Sequence, residues 1–195
     1  MSTPATATLL ILAGGDSRRM GRTKALLPVA GTTLVEWVLG RLAGEFEQVL
    51  VAARTEEQVP AVLRRLVVRD LHVGAGPLAG IEAGLAAARH PVLVAVACDM
   101  PRVDRRLLHR LLAASEGVDA AVPRVAGRPE PACAAYRQSA AGPLAAALAA
   151  GRLKAADALT ELRVRWLDGE DPALFANLNT PADHRDFLAT LDRPR

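Results

Sequence analysis

Near the start of the chain, at 9–27, LLILAGGDSRRMGRTKALL sets a short apolar run against paired glycines, two arginines, another glycine and a lysine. An extended segment that stops at Gly14 and Gly15 leaves backbone N–H groups with little side-chain obstruction, which suits a negatively charged oxygen. Arg18, Arg19 and Lys24 add mobile positive charge at the same place. The chemistry these residue types suggest is phosphate handling. Neither familiar phosphate loop fits. Gly21 falls one position too late after Gly15 for a P-loop and is followed by Arg22, and GGDSRR does not match the dinucleotide pattern G-x-G-x-x-G. A solvated connection between a strand and a helix is the plain alternative for the same residues.

Two more places carry chemistry. In VLVAVACDMP, at 92–101, a wholly apolar run ends abruptly at Asp99. A carboxylate at the end of a buried strand is costly unless compensated, and a Mg²⁺ shared with nucleotide phosphates is one compensation. Capping the turn ahead of Pro101 is the other. At 70–80, Asp70 precedes GPLAG. Asp70 could be a turn residue or a contact to a ribose or base. Gly76 to Gly80 could be the loop before an alanine-rich helix, or a point where backbone must approach a planar ligand. Nucleophilic machinery is not apparent: Ser17 has no evident histidine partner, and His72, His90, His109 and His184 show no metal-ligand spacing.

Elements that would position these residues follow from the pattern. Apolar runs at 8–13, 48–53, 65–69, 92–97, 119–122, 132–136 and 163–167 read as strands, alternating with helical patterns. Thr33 with Glu36, and Thr55 with Gln58, match the capping box that opens a helix. Asp104 caps a helix over 105–114, Pro143 suits the first turn of one reaching Ala149, and Thr180 with Asp183 opens the last. The polar stretch 124–131 reads as a mobile loop. The expected fold is α/β: a single three-layer α/β/α domain over 1–195, with a mostly parallel sheet. Open sheets of this kind bind ligands at the carboxyl ends of their strands, where all three chemical segments fall.

Composition bounds the partners. The 24 basic and 21 acidic side chains leave +3, too small an excess to argue for nucleic acid, and 3% aromatic residues leave little for base stacking. Cys98 and Cys133 lie in apolar segments without C-x-x-C spacing, as expected of buried free thiols in a reducing compartment. No run approaches a membrane span, and 1–8 lacks the basic residues of a signal peptide. The expectation is a soluble cytoplasmic protein.

LAGGDSRRMGRTKALL at 12–27, GPLAG at 76–80, CDMP at 98–101, EPACAAY at 130–136 and NLNTPAD at 177–183 together resemble the molybdenum cofactor guanylyltransferases, within the wider nucleotidyltransferases. The resemblance spans nearly the whole chain. It implies a Rossmann-like nucleotidyltransferase fold, and a reaction in which GMP passes from Mg·GTP to the terminal phosphate of molybdopterin, with release of pyrophosphate. Carried over by position, Leu12, Ala13, Gly14 and Gly15 line the nucleotide, and Arg19 and Lys24 hold its phosphates. Asp70 and Gly80 contact the guanosine end, and Asp99 binds Mg²⁺. Lys154, Asn177 and Asn179 face the acceptor. The implied partners are GTP, the molybdenum cofactor, and molybdenum-insertion and molybdoenzyme-chaperone proteins, the chain itself being a monomer. Two residues depart from the pattern: Ala52 stands where relatives often place an asparagine, and Asp16 puts a negative charge in the phosphate loop. A CTP-dependent transferase of the same fold, favoured in relatives by alanine at the position of Gly15, and a non-catalytic escort for nucleotide or cofactor are the competing readings.

Overall fold

LLIL at 9–12 is apolar at every position, so both faces of the strand it forms must be covered. The computed structural model, which describes residues 5–14, 23–70, 72 and 74–191, places this segment at the centre of the sheet as β1, Ala5–Leu12. A two-strand hairpin follows, β2 (Pro28–Val29) and β3 (Thr32–Thr33), then α1 (Leu34–Leu42) and β4 (Phe46–Ala53). Next come β5 (Val67–Arg69), α2 (Gly76–Ala87), β6 (Val92–Ala97) and α3 (Arg105–Ala114). The chain continues through β7 (Ala120–Val125), β8 (Arg128–Pro129) and β9 (Cys133–Arg137). It closes with α4 (Ala141–Ala149), α5 (Ala155–Ala158), β10 (Val164–Leu167) and α6 (Pro181–Leu191).

The sheet order is β10-β7-β9-β6-β1-β4-β5, with β8 paired to β7 outside that path. β1 runs parallel to both β4 and β6, and β4 to β5. β9 is antiparallel to both β6 and β7, so the sheet is mostly parallel with one reversed strand inside it. Strand alternation divides the core. Leu9, Ile11, Val94 and Val96 face α1 and α3, through Val35, Val38, Leu107 and Leu111. Leu10, Leu12, Leu93 and Ala95 face α2, α4 and α5, through Leu78, Ile81, Leu144 and Ala158. A third cluster, Leu27, Val29, Leu34, Leu178 and Phe187, fastens α6 to the β2–β3 hairpin. The expected α/β layers with a mostly parallel sheet are observed.

Three local expectations differ. Thr55 and Gln58 do form the capping box, but it opens a single 3-10 turn, Glu56–Gln58, rather than a helix. Pro60 follows almost at once and cannot continue a helix. The stretch 124–131 is an antiparallel hairpin, with Arg124 opposite Pro129 and Val125 opposite Arg128. Its turn residues Ala126 and Gly127 both have positive φ, 48° and 77°, the left-handed pair that a two-residue hairpin needs. GPLAG is not a loop ahead of a helix: it is the first part of α2, with Pro77 in its first turn.

Candidate active site

From β1 the chain winds outward through β4 to β5, then returns to the other side of β1 as β6. The crevice beyond the carboxyl ends of β1 and β6 is therefore a topological switch point, where open α/β sheets take ligands. Backbone hydrogen bonds hold its floor: Ala13 and Gly14 N–H donate to the Ala52 carbonyl at 2.8 and 3.0 Å, and Cys98 N–H donates to the Leu12 carbonyl at 3.1 Å. A cleft of about 340 Å³ lies here, a size common for small-molecule sites. Leu12, Ala13 and Gly14 form one side of it. Lys24, Asp99, Asn177 and Asn179 form another.

Lys24 organises the centre. Its Nζ donates to Asp99 Oδ2 and to Asn179 Oδ1, both at 2.7 Å, joining residues 75 and 155 positions away. Each partner is fixed by its own segment. Asp99 follows β6 in a turn closed by Met100 N–H to the Ala97 carbonyl, and its own carbonyl accepts from Leu178 N–H at 2.9 Å. Leu178 is buried beneath that bond. Asp183, on the first turn of α6, accepts from Asn179 N–H and Thr180 N–H, both at 2.8 Å, and those two bonds hold its carboxyl below the usual range. The NLNTPAD segment is thus a clamp. Leu178 plugs it into the core, Asp183 fixes its backbone, and Asn179 reaches the ammonium.

The remaining expected site residues are distributed less evenly. Asp70, directly after β5, stands beside Gly14: a Cβ built on Gly14 would lie 3.4 Å from Asp70 Oδ2. Asp70 Oδ1 is buried and has no hydrogen-bond partner among the described residues, and burial raises the carboxyl above its ordinary value against the opposing charge of Arg54. Gly80 does not line the cleft. It is buried in α2, where a Cβ would sit 2.8 Å from Leu12 Cδ2 and 3.1 Å from Ala52 Cβ, so it lets the helix lie close against the cleft floor. Ala52 accordingly turns its side chain to α2 and serves the cleft through its carbonyl. Lys154 is exposed at the head of α5 and is not in the cleft lining. Gly15 and Arg19, with Asp16, Ser17 and Arg18, lie outside the described residues.

Two features escaped the sequence reading. Glu130 enters the cleft lining from the far side of Asp99, ahead of β9, and no spacing rule singles out one glutamate in a loop. Asp183 holds Asn179, a role visible only as the capping pattern of α6. Cys98 also borders the cleft, but burial raises its thiol well above the ordinary range, which removes it as a nucleophile.

The MobA-like NTP transferase domain matches residues 9–166 of the chain. The chain is 38% identical over 184 residues to a probable molybdenum cofactor guanylyltransferase of Pelotomaculum thermopropionicum, a match covering 91% of this chain and 89% of the relative. It is 40% identical over 178 residues to the molybdenum cofactor guanylyltransferase of Cereibacter sphaeroides, covering 89% and 91% respectively. Among solved structures it resembles molybdopterin-guanine dinucleotide biosynthesis protein A of Archaeoglobus fulgidus, with a TM-score of 0.80 and 31% identity over 94% of this chain and 98% of that one. The 2-C-methyl-D-erythritol 4-phosphate cytidylyltransferase of Thermus thermophilus has the same fold, at a TM-score of 0.69 and 23% identity, covering 94% of this chain and 98% of that one. With this cleft at the switch point of this sheet, the chain belongs to the MobA-like NTP transferases and is a nucleotidyltransferase.

Proposed function

We propose that the protein transfers GMP from GTP to the terminal phosphate of the molybdenum cofactor, with Mg²⁺, releasing pyrophosphate. The observation that carries this reading is the convergence of Asp99 Oδ2 and Asn179 Oδ1 on one cationic point, the Lys24 ammonium, at the floor of the switch-point cleft. Two oxygen donors of this kind fit a hard divalent cation that takes its other ligands from phosphate and water. Among the described residues no cluster of three histidine, cysteine or acidic side chains competes for a metal. Asp99 would hold the ion and Asn179 would lend its amide oxygen, whereas the family resemblance implies that Asn179 faces the acceptor. Bound there, the ion would neutralise charge on the α-phosphoryl oxygens and on the departing pyrophosphate.

The chain's own part is alignment. Gly14, without a side chain, lets the nucleotide lie against the end of β1. Lys24, released from Asp99 and Asn179, would pair with the triphosphate through charge-assisted hydrogen bonds. A phosphate oxygen of the acceptor attacks the α-phosphorus, the new phosphoanhydride forms, and the bond to the β-phosphate breaks. The attacking oxygen belongs to the substrate, so no protein nucleophile is required. Asp70, beside Gly14 though outside the cleft lining, would favour guanine among the bases through Oδ2, which can accept from N1–H or the amino group, while cytosine would present a lone pair in that position.

Thermal denaturation with GTP, CTP or ATP in the presence of Mg²⁺ tests the nucleotide. Ligand at 100 times its dissociation constant adds about 2.7 kcal/mol to the folded state, a rise in Tm of about 5–10 °C for a chain of this size. GTP alone is expected to produce it, followed by pyrophosphate release once the acceptor is added. A response to CTP alone would overturn the guanine assignment. GTP binding without pyrophosphate release in the presence of acceptor would reduce the protein to an escort.

A further inference from the structure

We propose that Glu130 reads the pterin of the acceptor, accepting hydrogen bonds from its ring N–H and the adjacent exocyclic amino group; this rests on the transfer reaction proposed above. The motif EPACAAY finds no role in nucleotide binding, and its place in the sheet explains why. β9 pairs antiparallel to β6, with Cys133 opposite Val96, so the residues that precede β9 lie at the same end of the sheet as Asp99. Along the sheet order, Asp70 after β5 and Glu130 before β9 stand on opposite flanks of Asp99. A nucleotide that extends from Asp99 towards Gly14 and Asp70 leaves the Glu130 flank to the second substrate.

The turn that carries Glu130 is fixed by its backbone, yet its carboxylate has no hydrogen-bond partner among the described residues. Glu130 N–H donates to the Pro123 carbonyl at 2.9 Å, and its carbonyl accepts from Cys133 N–H at 3.0 Å. Tyr136, fully buried, donates its hydroxyl to the Pro131 carbonyl at 2.7 Å. Against this fixed backbone, no described residue donates a hydrogen bond to the Glu130 side chain. It is half-buried in the cleft wall, and burial alone pushes its carboxyl above the ordinary value. An anion held in that way repels phosphate and calls for donors from a ligand. A pterin offers a matched pair, since its 2-amino-4-oxo ring presents N3–H beside the amino group, a fork that fits the two carboxylate oxygens. Met100 and Ala132, from the same cleft, supply apolar surface for the flat ring.

A lumazine, in which a carbonyl replaces the 2-amino group, isolates that edge. Binding of 6-hydroxymethylpterin and 6-hydroxymethyllumazine should be measured by fluorescence titration on the wild-type chain, Glu130→Gln and Glu130→Ala. The wild type is expected to prefer the pterin by roughly 10- to 100-fold, the range for hydrogen bonds to a charged group. Glu130→Ala should lose the preference. Glu130→Gln, whose amide can donate to the lumazine carbonyl, should reduce or invert it. The thermal response to Mg·GTP should be equal in all three proteins, which shows that the fold and the nucleotide flank are intact. An unchanged preference in Glu130→Gln with that response intact would overturn the role of Glu130 and leave the transfer reaction standing. Failure of the wild type to bind the pterin, with its GTP response present, would overturn the assignment of this flank to the acceptor. Loss of the GTP response as well would overturn the transfer of GMP proposed above.

Discussion

Adding one methyl group at Gly80 or at Gly84 should separate the shape of the cleft from the stability of the layer beneath it. Both glycines lie on the face of α2 that packs on β1. At Gly84 a Cβ would stand 2.5 and 3.0 Å from the two Cδ atoms of Leu10 and 3.1 Å from Leu93 Cδ1, and both leucines are wholly buried. Nothing there can swing away, so overpacking costs about 1–3 kcal/mol, against about 1 kcal/mol regained in helix propensity. Gly84→Ala should be less stable by up to about 2 kcal/mol, a fall in Tm of up to about 8 °C. At Gly80 the closest atom is Leu12 Cδ2 at 2.8 Å. Leu12 borders the cleft, so its terminal methyl can rotate into it, and the stability loss should stay within about 1 kcal/mol. The displaced methyl then occupies the nucleotide floor. A loss of about 1.4 kcal/mol in contact would weaken GTP binding tenfold. Urea denaturation and calorimetric titration with Mg·GTP read the two effects separately. If Gly80→Ala binds GTP normally, or if Gly84→Ala loses affinity as much as stability, the cleft floor is not set by Leu12 and the reasoning fails.

Asp99→Asn should cut kcat by roughly two orders of magnitude or more, because the lost metal charge is worth several kcal/mol in the transition state. Its amide oxygen can still accept from Lys24, so the variant should stay folded, with the urea midpoint lowered only by the lost ion pair, and near-normal turnover would take Asp99 out of the metal site. Lys24→Met should lower kcat/KM for the nucleotide by roughly 10- to 100-fold through lost charge-assisted contacts; a variant that merely unfolds would make Lys24 structural. Asp119, which accepts from Arg163 N–H, from its guanidinium and from Ser139, has a carboxyl held well below the usual range, led by the Arg163 side chain. A depressed folded value stabilises above the unfolded pKa of about 3.9 and is lost as pH falls below it. The wild type should therefore exceed Asp119→Asn by about 1 kcal/mol at pH 7, a modest figure because the guanidinium is largely exposed. Urea midpoints from pH 7 to pH 2.5 should show the gap closing only below about pH 4.

The parts of the fold legible in the sequence are those where one signal acts alone. VLVAVA has no polar residue, and β6 occupies 92–97 as expected. Asp104 caps α3 with its carboxylate on Leu107 N–H at 2.8 Å, and α3 occupies 105–114. Both tight hairpins were hidden for one reason. Their turns read Ala30-Gly31 and Ala126-Gly127, and alanine at positive φ lacks the asparagine or aspartate that announces such a turn. In the site, motif order brought Lys24, Asp99 and Asn179 into one list, but only tertiary structure could show them meeting on a single ammonium. Gly80 shows a second limit. A glycine in a recognised motif suggests contact with a ligand, whereas in the fold it determines how closely a helix approaches a sheet.

Lys24 also links recognition to the cost of keeping the cleft ready. Asp99 and Lys24 are each about four-fifths buried, with side-chain exposures of 19% and 20%, and a carboxylate so largely desolvated would be expensive without a cation. The ammonium meets that need before any substrate arrives. In the proposed reaction a metal-bound nucleotide brings positive charge for Asp99 and negative charge for Lys24 together, so neither group is left unpaired when their bond opens. A nucleotide without its metal offers Lys24 a partner but leaves Asp99 facing phosphate. Metal and nucleotide should therefore bind interdependently, with GTP affinity rising by about the same factor on adding Mg²⁺ as Mg²⁺ affinity rises on adding GTP, as linkage requires. In Asp99→Asn that coupling should shrink, because the uncharged side chain no longer penalises the bare nucleotide.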